Sequence, residues 1–196
     1  MYIIKILFLN IILAFTTLTS SAQKLTYKVK VDGKESGTLI ANKSGKKNNY
    51  TYTIQSNIKT TMLFTVELKY DLKSIIENGR LKSSRLVQQV NGVKQTDNTT
   101  TQKGSGYVFK DKSGEEKIIN SNITIIVPDL YFNEPKNQKA IWSDNHGKFL
   151  SIKKEGNAYL LDTGDGQNST YTYVNGICKK VESTQAFSNI TFELVK

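Results

Sequence analysis

Cysteine is almost missing from this chain, which excludes a disulfide scaffold. Cys178 is the only cysteine among the 196 residues, and a single thiol cannot form an intramolecular disulfide. The fold must therefore be held together by its hydrophobic core. Cys178 lies in residues 171–181, whose alternation is typical of a strand. We interpret it as a small, half-buried apolar residue rather than a reactive thiol.

Histidine is as scarce as cysteine, which leaves little material for catalysis or metal binding. His146 is the only histidine and lies in Asp-Asn-His-Gly, residues 144–147, a composition typical of a turn. One histidine and one cysteine far apart in the sequence do not make a zinc site. No G-x-S-x-G motif is present, and no nucleophile has a visible base partner. The sequence therefore predicts that the protein is not an enzyme and uses no metal or cofactor.

Acidic side chains form no convincing site either. Asp162 and Asp165 lie in a segment that faintly resembles a calcium loop, but the EF-hand spacing and its bidentate glutamate are missing. A tight turn explains that segment better. Asp129 and Glu134 are five residues apart and would not share a helix face. We interpret Asp129 as a first-turn acid favoured by the helix dipole.

Long apolar runs are absent except at the N-terminus, so no transmembrane segment is expected in the rest of the chain. Lys5 precedes an apolar region, residues 6–18, and a small-residue cleavage site at residues 20–22. This order predicts a signal peptide over residues 1–22 and a mature chain that begins at Gln23.

An uncleaved membrane anchor is the alternative to the signal peptide. Asn10 and the polar run at residues 16–21 leave too few of the roughly 20 apolar residues that a spanning helix needs. No cysteine follows the predicted cleavage site, so a lipoprotein anchor is not expected. We therefore expect residues 23–196 to be a single exported domain, periplasmic or extracellular.

Positive charge exceeds negative charge, but its distribution argues against a nucleic-acid partner. Lysine and arginine number 27 against 17 acids, which gives a formal net charge of +10. Lysine dominates and is spread over the chain without a dense run, whereas nucleic-acid binding favours clustered basic residues interleaved with aromatics. A solvated lysine surface facing an anionic envelope fits this pattern better.

Most of the chain after residue 24 alternates between apolar and polar residues, which is typical of half-buried strands. Turn dipeptides separate these stretches, namely Asp32-Gly33, Asn78-Gly79, Asn91-Gly92 and Asn175-Gly176. The pattern predicts a mainly β fold, a single antiparallel meander of about a dozen strands. Such a sheet must curl into a barrel or half-barrel to limit its exposed edges. Residues 93–102 are almost wholly polar, so we expect that strand at a rim or edge.

One stretch departs from this alternation and predicts the only helix. Five apolar residues follow the helical spacing i, i+3, i+4, i+7 and i+8, namely Ile123, Ile126, Val127, Leu130 and Tyr131. We expect a short helix near residues 124–134, with Thr124 or Ser121 as its N-cap. Pro128 would lie in its first turn and Pro135 would end it.

The C-terminal third carries motifs that resemble a known family. They are LYFNEP at residues 130–135, SDNHG at 143–147 and DGQNSTYTYVNG at 165–176. Together they resemble DUF6134, a Bacteroidetes family of exported domains of unknown function, over essentially the whole mature chain. The resemblance implies export and an all-β fold, with no established activity. The arrangement is also similar to the exported group DUF3108 and, more distantly, to the curved half-barrels of periplasmic lipoprotein carriers, which is weak evidence for function.

Aromatic residues around the predicted helix are the remaining candidates for a site. A concave sheet could bind an apolar or lipid-like molecule beneath the helix, and the residues expected to contact it are Leu130, Tyr131, Phe132, Trp142, Tyr159, Tyr171 and Tyr173. The alternative for these residues is an ordinary packed core. The corresponding alternative function is a structural or interaction module of the cell envelope with a closed core, in which the polar strand at 93–102 meets a partner protein.

Overall fold

The described residues form one β-sheet with a very short helix. The structure is a computed structural model and describes residues 21–61, 64–164, 166–184 and 188–195. The first eight strands are β1 Ser21–Val31, β2 Lys34–Lys46, β3 Asn49–Thr61, β4 Thr65–Glu77, β5 Arg80–Val90, β6 Val93–Lys103, β7 Gly106–Lys110 and β8 Glu116–Ile119. After them come α1 Asp129–Phe132, β9 Ala140–Ser143, β10 Lys148–Glu155, β11 Ala158–Asp162, β12 Asn168–Val174, β13 Ile177–Thr184 and β14 Asn189–Leu194. Asp165 lies outside the described residues.

The strands follow one another as an antiparallel meander, which confirms the predicted fold class. Their order in the sheet is β8-β7-β6-β5-β4-β3-β2-β1-β14-β13-β12-β11-β10-β9. The chain therefore starts in the middle of the sheet, runs out to the β8 edge and crosses over through α1. It then returns from the β9 edge until β14 pairs with β1, with Tyr27 opposite Leu194. The sheet is not closed by backbone pairing, because β8 and β9 are its two edges.

The predicted hairpin dipeptides form the expected tight turns. Both residues of Asp32-Gly33, Asn78-Gly79, Asn91-Gly92 and Asn175-Gly176 have positive φ, from 48° to 80°. Asparagine, aspartate and glycine tolerate this backbone region, and the resulting turn twist matches that of the flanking strands. These local sequences therefore fix the register of the hairpins that contain them.

One face of the curved sheet carries the core. In β1 the buried residues Leu25, Tyr27, Val29 and Val31 alternate with the half-buried Lys28 and Lys30. Cys178 on β13 is fully buried in the same core, deeper than the half-buried position predicted for it. The core continues across the sheet and includes the helix, so the concave side is the inside of the molecule.

The polar strand β6 is only partly at an edge, which corrects the prediction for residues 93–102. Its second half, from Thr99 onwards, pairs with β7 as well as with β5. Its first half pairs with β5 alone among the described strands. Asn98 and Thr100 point inwards and are buried. Their polar side chains are accepted inside because they find hydrogen-bond partners there, as described below.

The helix is much shorter than the predicted segment near residues 124–134. The preceding residues are extended instead: Val127 N–H donates to the Trp142 carbonyl, and Trp142 N–H donates to the Ile125 carbonyl, both over 3.1 Å. Leu81 N–H donates to the Ile123 carbonyl over 2.9 Å. These neighbouring strands satisfy the backbone groups that a longer helix would have paired internally. Residues 123–127 of the crossover therefore run in an extended conformation along the β9 edge and do not form a helix.

The start of α1 also differs from the predicted capping. The N-cap is Pro128 and not Thr124 or Ser121, and no side chain caps the helix from that position. The Asp129 carboxylate accepts the Ile126 N–H over 2.9 Å instead. Pro128 costs little here because the first N–H groups of a helix have no partner within it. Within the described ranges, no helix has the length and apolar character that crossing a membrane requires.

Candidate ligand-binding cleft

Side chains join the two open edges of the sheet. The rings of Phe109 on β7 and Trp142 on β9 meet edge to face at 6.1 Å. The Asn98 side-chain amide of β6 donates to the Asp144 carbonyl over 2.9 Å. The Phe109 ring also lies so close to Gly147 that no Cβ would fit between them. The β9–β10 turn thus packs against strands β6 and β7 and gives the sheet a barrel-like interior.

Two adjoining cavities remain inside the curved sheet. One, here the apolar chamber, measures about 170 Å³ and is lined mainly by side chains of β2, β3, β4, β13 and β14, including Leu39, Ile58, Leu68, Val181, Ile190 and Phe192. The other, here the polar chamber, measures about 180 Å³ and includes Ser143, Asp144, His146, Thr163 and Gln167. Tyr70, Ser169 and Tyr171 line both chambers. The two chambers together are called the cleft below.

Tyrosines stand where the chambers meet. Tyr131 of α1 packs edge to face on Tyr171 of β12, with ring centroids 6.3 Å apart. Burial raises the pKa of Tyr70, of Tyr131 and of Tyr171. The Asp144 carboxylate raises the pKa of Tyr70 further, and neighbouring tyrosines and the Cys178 thiol raise the pKa of the other two. These phenols therefore stay protonated at neutral pH and can both donate and accept hydrogen bonds.

Asp144 supplies the charge of the polar chamber. Its Oδ1 accepts hydrogen bonds from the Thr100 hydroxyl at 2.6 Å and from the Trp142 indole N–H at 3.1 Å. Its Oδ2 is buried and has no partner among the described side chains. Burial raises the pKa of the Asp144 carboxyl, although the hydrogen bonds from Thr100, Trp142 and Ser84 act in the opposite direction. The carboxyl group is thus enclosed by protein atoms, and its Oδ2 is not exposed to the chamber.

Ser143 and His146 contact each other in the same turn, and the Asp144 carboxylate makes its hydrogen bonds elsewhere. Ser143 Oγ lies 3.0 Å from His146 Nδ1, while the Asp144 carboxylate bonds to Thr100 and Trp142 rather than to the imidazole. The backbone N–H groups of His146 and Gly147 both donate to the Ser143 carbonyl. This is the geometry of a tight turn, as predicted for this segment.

A second buried carboxylate, Asp129, has a structural role. It accepts the Tyr52 hydroxyl at 2.6 Å and the Ile126 N–H at 2.9 Å. Burial raises its pKa, and these two hydrogen bonds oppose that shift. Both of its oxygens have partners, so Asp129 anchors α1 to β3 and offers nothing to a ligand. In the part of the chain that the structure describes, no three His, Cys, Asp or Glu side chains group as metal ligands would.

The seven predicted site residues separate into two sets. Tyr171 lines both chambers and Tyr131 lines the apolar chamber. The remaining five line neither chamber, and four of them, Leu130, Phe132, Trp142 and Tyr173, are buried in the core. The fifth, Tyr159, is buried too but borders a separate surface pocket near Lys136 and Lys154.

Direct contacts hold three of these five residues in the core. Phe132 stacks on Tyr52 with ring centroids 5.3 Å apart. The Tyr173 hydroxyl donates to the Leu130 carbonyl over 2.7 Å. Tyr70 and Asp144 also line the polar chamber but are not among the seven. Only Tyr70 had a usable sequence signal, because it alternates with Leu68 and Leu72 on one face of β4.

Comparison with a solved structure supports the barrel-like architecture. The crystal structure of a beta-barrel-like protein of domain of unknown function DUF1849 from Brucella abortus superposes with a TM-score of 0.56. The match covers 88% of this chain and 95% of that chain at 11% sequence identity. At this identity the likeness concerns the fold alone.

Comparison with known sequences gives the family. No curated protein matches the chain. The sequence model of the family described as "Domain of unknown function (DUF6134)" matches residues 27–195. This range begins in β1 and ends just after β14, so it spans the whole sheet. The chain therefore belongs to the DUF6134 family.

Proposed function

We propose that this protein is an exported, non-enzymatic binding module that holds a small apolar or lipid-like ligand in the cleft. The observation that carries the proposal is the pair of adjoining chambers inside the sheet, which share Tyr70, Ser169 and Tyr171. Their volumes of about 170 and 180 Å³ together reach the lower end of the range for small-molecule pockets, roughly 300–1,000 Å³. A ligand with a short chain fits this space.

The apolar chamber supplies the binding energy in this proposal. Its lining includes Leu39, Ile58, Val181 and Phe192. Each methylene group that leaves water for such surroundings contributes about 0.8 kcal/mol. Tyr131 of the helix lines this chamber, so a ligand held there would lie against the helix.

Export rests on the N-terminal sequence pattern. Cleavage after Ala22 would leave the inward-facing residues of β1 in place, since the first of them is Leu25. A non-enzymatic role is supported by the Asp144 carboxylate, which bonds to Thr100 and Trp142 and not to His146. A Ser-His-Asp triad needs the carboxylate on the imidazole.

A fluorescence titration of the mature chain tests the proposal. The neutral dye N-phenyl-1-naphthylamine should bind at one site per protein and should be displaced by octanol. Leu68→Trp places an indole in the apolar chamber and should weaken dye binding at least tenfold. Val66→Trp is the matched control, because Val66 lies two residues earlier on the same face of β4 but outside both chambers. Absence of dye binding, or equal binding by the two variants, would overturn the proposal.

An interaction module with a filled core is the second candidate, and one observation favours it. Val93 at the start of β6 is 62% exposed, and residues 93–98 pair with β5 alone among the described strands. An exposed apolar residue beside unpaired backbone groups can add a partner strand. In that case Val93→Lys should release an envelope protein that the wild type retains, whereas Val93→Ile should retain it.

A further inference from the structure

One lysine of the sheet faces inwards. Lys43 follows the buried Leu39 and Ala41 at alternate positions of β2, and alternate residues of a strand point to the same face. Lys43 lies opposite Gln23 on β1 and opposite Tyr52 on β3. Leu39 lines the apolar chamber, and four residues of strand place Lys43 about 13 Å further along. Lys43 therefore lies towards the β2–β3 turn and outside the cleft.

The Lys43 ammonium group contacts aromatic rings and no carboxylate. Its Nζ lies 4.2 Å from the centroid of the Tyr50 ring and 5.4 Å from that of the Tyr52 ring. It forms neither an ion pair nor a hydrogen bond with any residue that the structure describes. Aromatic faces attract positive charge, but they do not replace oxygen acceptors for three N–H donors. An anion beside this half-buried cation would supply them.

The buried carboxyl of Asp129 does not take that place. Burial raises its pKa, and the positive charge of Lys43 is among the influences that lower it. Both Asp129 oxygens already accept hydrogen bonds, from the Tyr52 hydroxyl and the Ile126 N–H. Asp129 thus acts on Lys43 only through space and leaves its N–H donors to another acceptor.

A surface pocket at Lys43 carries positive charge only. This lysine pocket measures about 230 Å³ and is lined by Gln23, Lys43, Gly45, Lys46, Lys47 and Tyr50. No aspartate or glutamate of the described chain lines it. Burial raises the pKa of Tyr50, so its phenol stays protonated at neutral pH and, like the Gln23 amide, can donate a hydrogen bond. The pocket therefore offers an anion both charge and hydrogen-bond donors.

The cations of this pocket favour a phosphate group over a carboxylate. A lysine ammonium is a compact point charge and lacks the planar fork with which arginine matches a carboxylate. Several ammonium groups can each contact a different oxygen of a tetrahedral phosphate. A phosphate monoester also carries close to two negative charges at neutral pH, which nearly doubles the Coulomb attraction relative to a carboxylate. The volume lies below the usual range for whole small-molecule ligands, roughly 300–1,000 Å³, and suits a head group.

We propose that the lysine pocket binds a phosphate monoester group and that this binding depends chiefly on Lys43. The pocket shares no lining residue with either chamber of the cleft, so the proposal goes beyond the proposed function and does not rest on it. The phosphate group can belong to a soluble molecule or to the head group of a phospholipid. Both sources present the same oxygens and charge to Lys43.

Calorimetric titration of the mature chain with glycerol 3-phosphate tests the proposal. This compound should bind at one site per protein, and acetate at equal ionic strength should bind at least tenfold more weakly. Vesicles of phosphatidylcholine, with and without phosphatidic acid, present the same group on a lipid. Binding of glycerol 3-phosphate alone would assign a soluble ligand, whereas added binding to the phosphatidic acid vesicles would assign a lipid head group. Binding of neither probe, or equal binding of acetate, would overturn the proposal.

A pair of lysine substitutions locates the site. Lys43→Gln should weaken the binding of glycerol 3-phosphate at least tenfold. Lys136→Gln is the matched control, because it removes the same charge from another lysine-rich pocket, where Lys136 pairs with Glu134 over 3.6 Å. This variant should change the binding less than twofold.

The two variants also separate this proposal from the one for the cleft. Equal weakening by Lys43→Gln and Lys136→Gln would show that phosphate responds to the overall charge, and it would overturn the lysine pocket. The dye titration of the cleft should give the same result for Lys43→Gln as for the wild type. Acetate and phosphate are compared on the wild-type protein, so that comparison does not depend on the folding of a variant.

Discussion

Asp129 and Asp144 are both buried aspartates, yet their hydrogen bonding separates them. Asp129 has a partner on each oxygen, Tyr52 on one and the Ile126 N–H on the other. Asp144 has two donors on one oxygen and none among the described groups on the other. Buried polar groups are nearly always paired, so the two carboxyl groups differ in how completely the fold satisfies them. Asp129 is thus a fully bonded anchor, whereas Asp144 is an incompletely bonded buried carboxyl.

The pH dependence of stability should report the buried carboxyl of Asp144. Burial raises its pKa above the ordinary 3.8, so the folded protein keeps this proton where the unfolded chain has released it. The protonated Asp144 carboxyl therefore contributes its full share to the free energy of unfolding below pH 3.8. This contribution is lost as the pH rises through the pKa of the folded protein. Asp144→Asn does not titrate. The free energy of unfolding of the wild type minus that of the variant, measured with urea, should fall over this interval and then level off.

Asp97 provides a control of opposite sign. Hydrogen bonds from Arg85 and then from Lys94 lower the pKa of its carboxyl to about 2. The ionised Asp97 carboxylate stabilises the folded protein at pH values above its ordinary pKa of 3.8. This stabilisation is lost as the pH falls towards 2. Asp97→Asn should therefore give a difference that shrinks on acidification. A difference for Asp144 that stayed constant or grew with pH would contradict the burial of an ionisable carboxyl there.

The role of Asp144 could not be predicted from its local sequence. The residue lies in a segment that reads as an exposed turn, and that turn does form between β9 and β10. Its burial depends on Thr100, which is 44 residues away in the sequence. The polar character of β6, which predicted an edge, instead reflects the hydrogen bonds that Asn98 and Thr100 make inside. Long-range polar pairing leaves no periodic signal, unlike apolar alternation.

At the level of elements, the hairpin turns could be predicted from the local sequence, whereas the conformation of the segment before α1 could not. The Asn-Gly and Asp-Gly dipeptides give the hairpins because they adopt the required backbone angles by themselves. The apolar spacing of residues 123–131, taken alone, is typical of a helix. In the folded chain, residues 123–127 hydrogen-bond to Leu81 and Trp142, which are neighbours only once the sheet has curved. Tertiary hydrogen bonds thus override the local helical pattern.

Contact between the β9–β10 turn and β7 can be tested with a pair of glycine substitutions. Gly147 and Gly156 have similar φ values, 58° and 62°, so an alanine at either position costs a similar backbone strain of about 1–2 kcal/mol. A Cβ at Gly147 would overlap the Phe109 ring, whereas a Cβ at Gly156 meets open space. Gly147→Ala should therefore lower the free energy of unfolding by a further 1–3 kcal/mol, roughly.

Chemical denaturation of the two alanine variants provides the measurement. The free energy of unfolding of the wild type and of each variant is obtained from the denaturation midpoint and the denaturant slope. The variants can be compared directly if their slopes equal that of the wild type. Equal losses for Gly147→Ala and Gly156→Ala would mean that Phe109 moves aside freely. The β9–β10 turn and β7 would then not be held together by this contact.

On the scale of the whole molecule, the architecture was more predictable than the cleft. Alternation along the strands and short turns suffice to predict an antiparallel meander that curls. They do not distinguish an aromatic residue that lines a cavity from one that fills the core, because both face inwards. Tyr171 and Tyr173 lie two residues apart on the buried face of β12, yet only Tyr171 borders the chambers. That distinction depends on how far opposite walls of the sheet stand apart.

The pairing of β1 with β14 makes the two runs of strands one cooperative unit. Val29 lies opposite Phe192, so the strands before the helix and those after it share a single sheet. Contacts between residues so distant in sequence form late and open only when most of the structure is lost. In native-state hydrogen exchange, the free energy of opening measured for the amides of residues 27–31 and 190–194 should therefore equal that of global unfolding.

The edge strand β8 provides the internal comparison for the exchange experiment. It has four residues, is paired on one side only, and its Ile118 is 71% exposed. Its amides should exchange through local opening at a lower free energy than those of β1. If instead the β1 and β14 amides exchanged as readily as those of β8, the two runs of strands would be separately stable units. The cleft would then lie between units that can part, because Leu39 precedes the crossover while Val181 and Phe192 follow it.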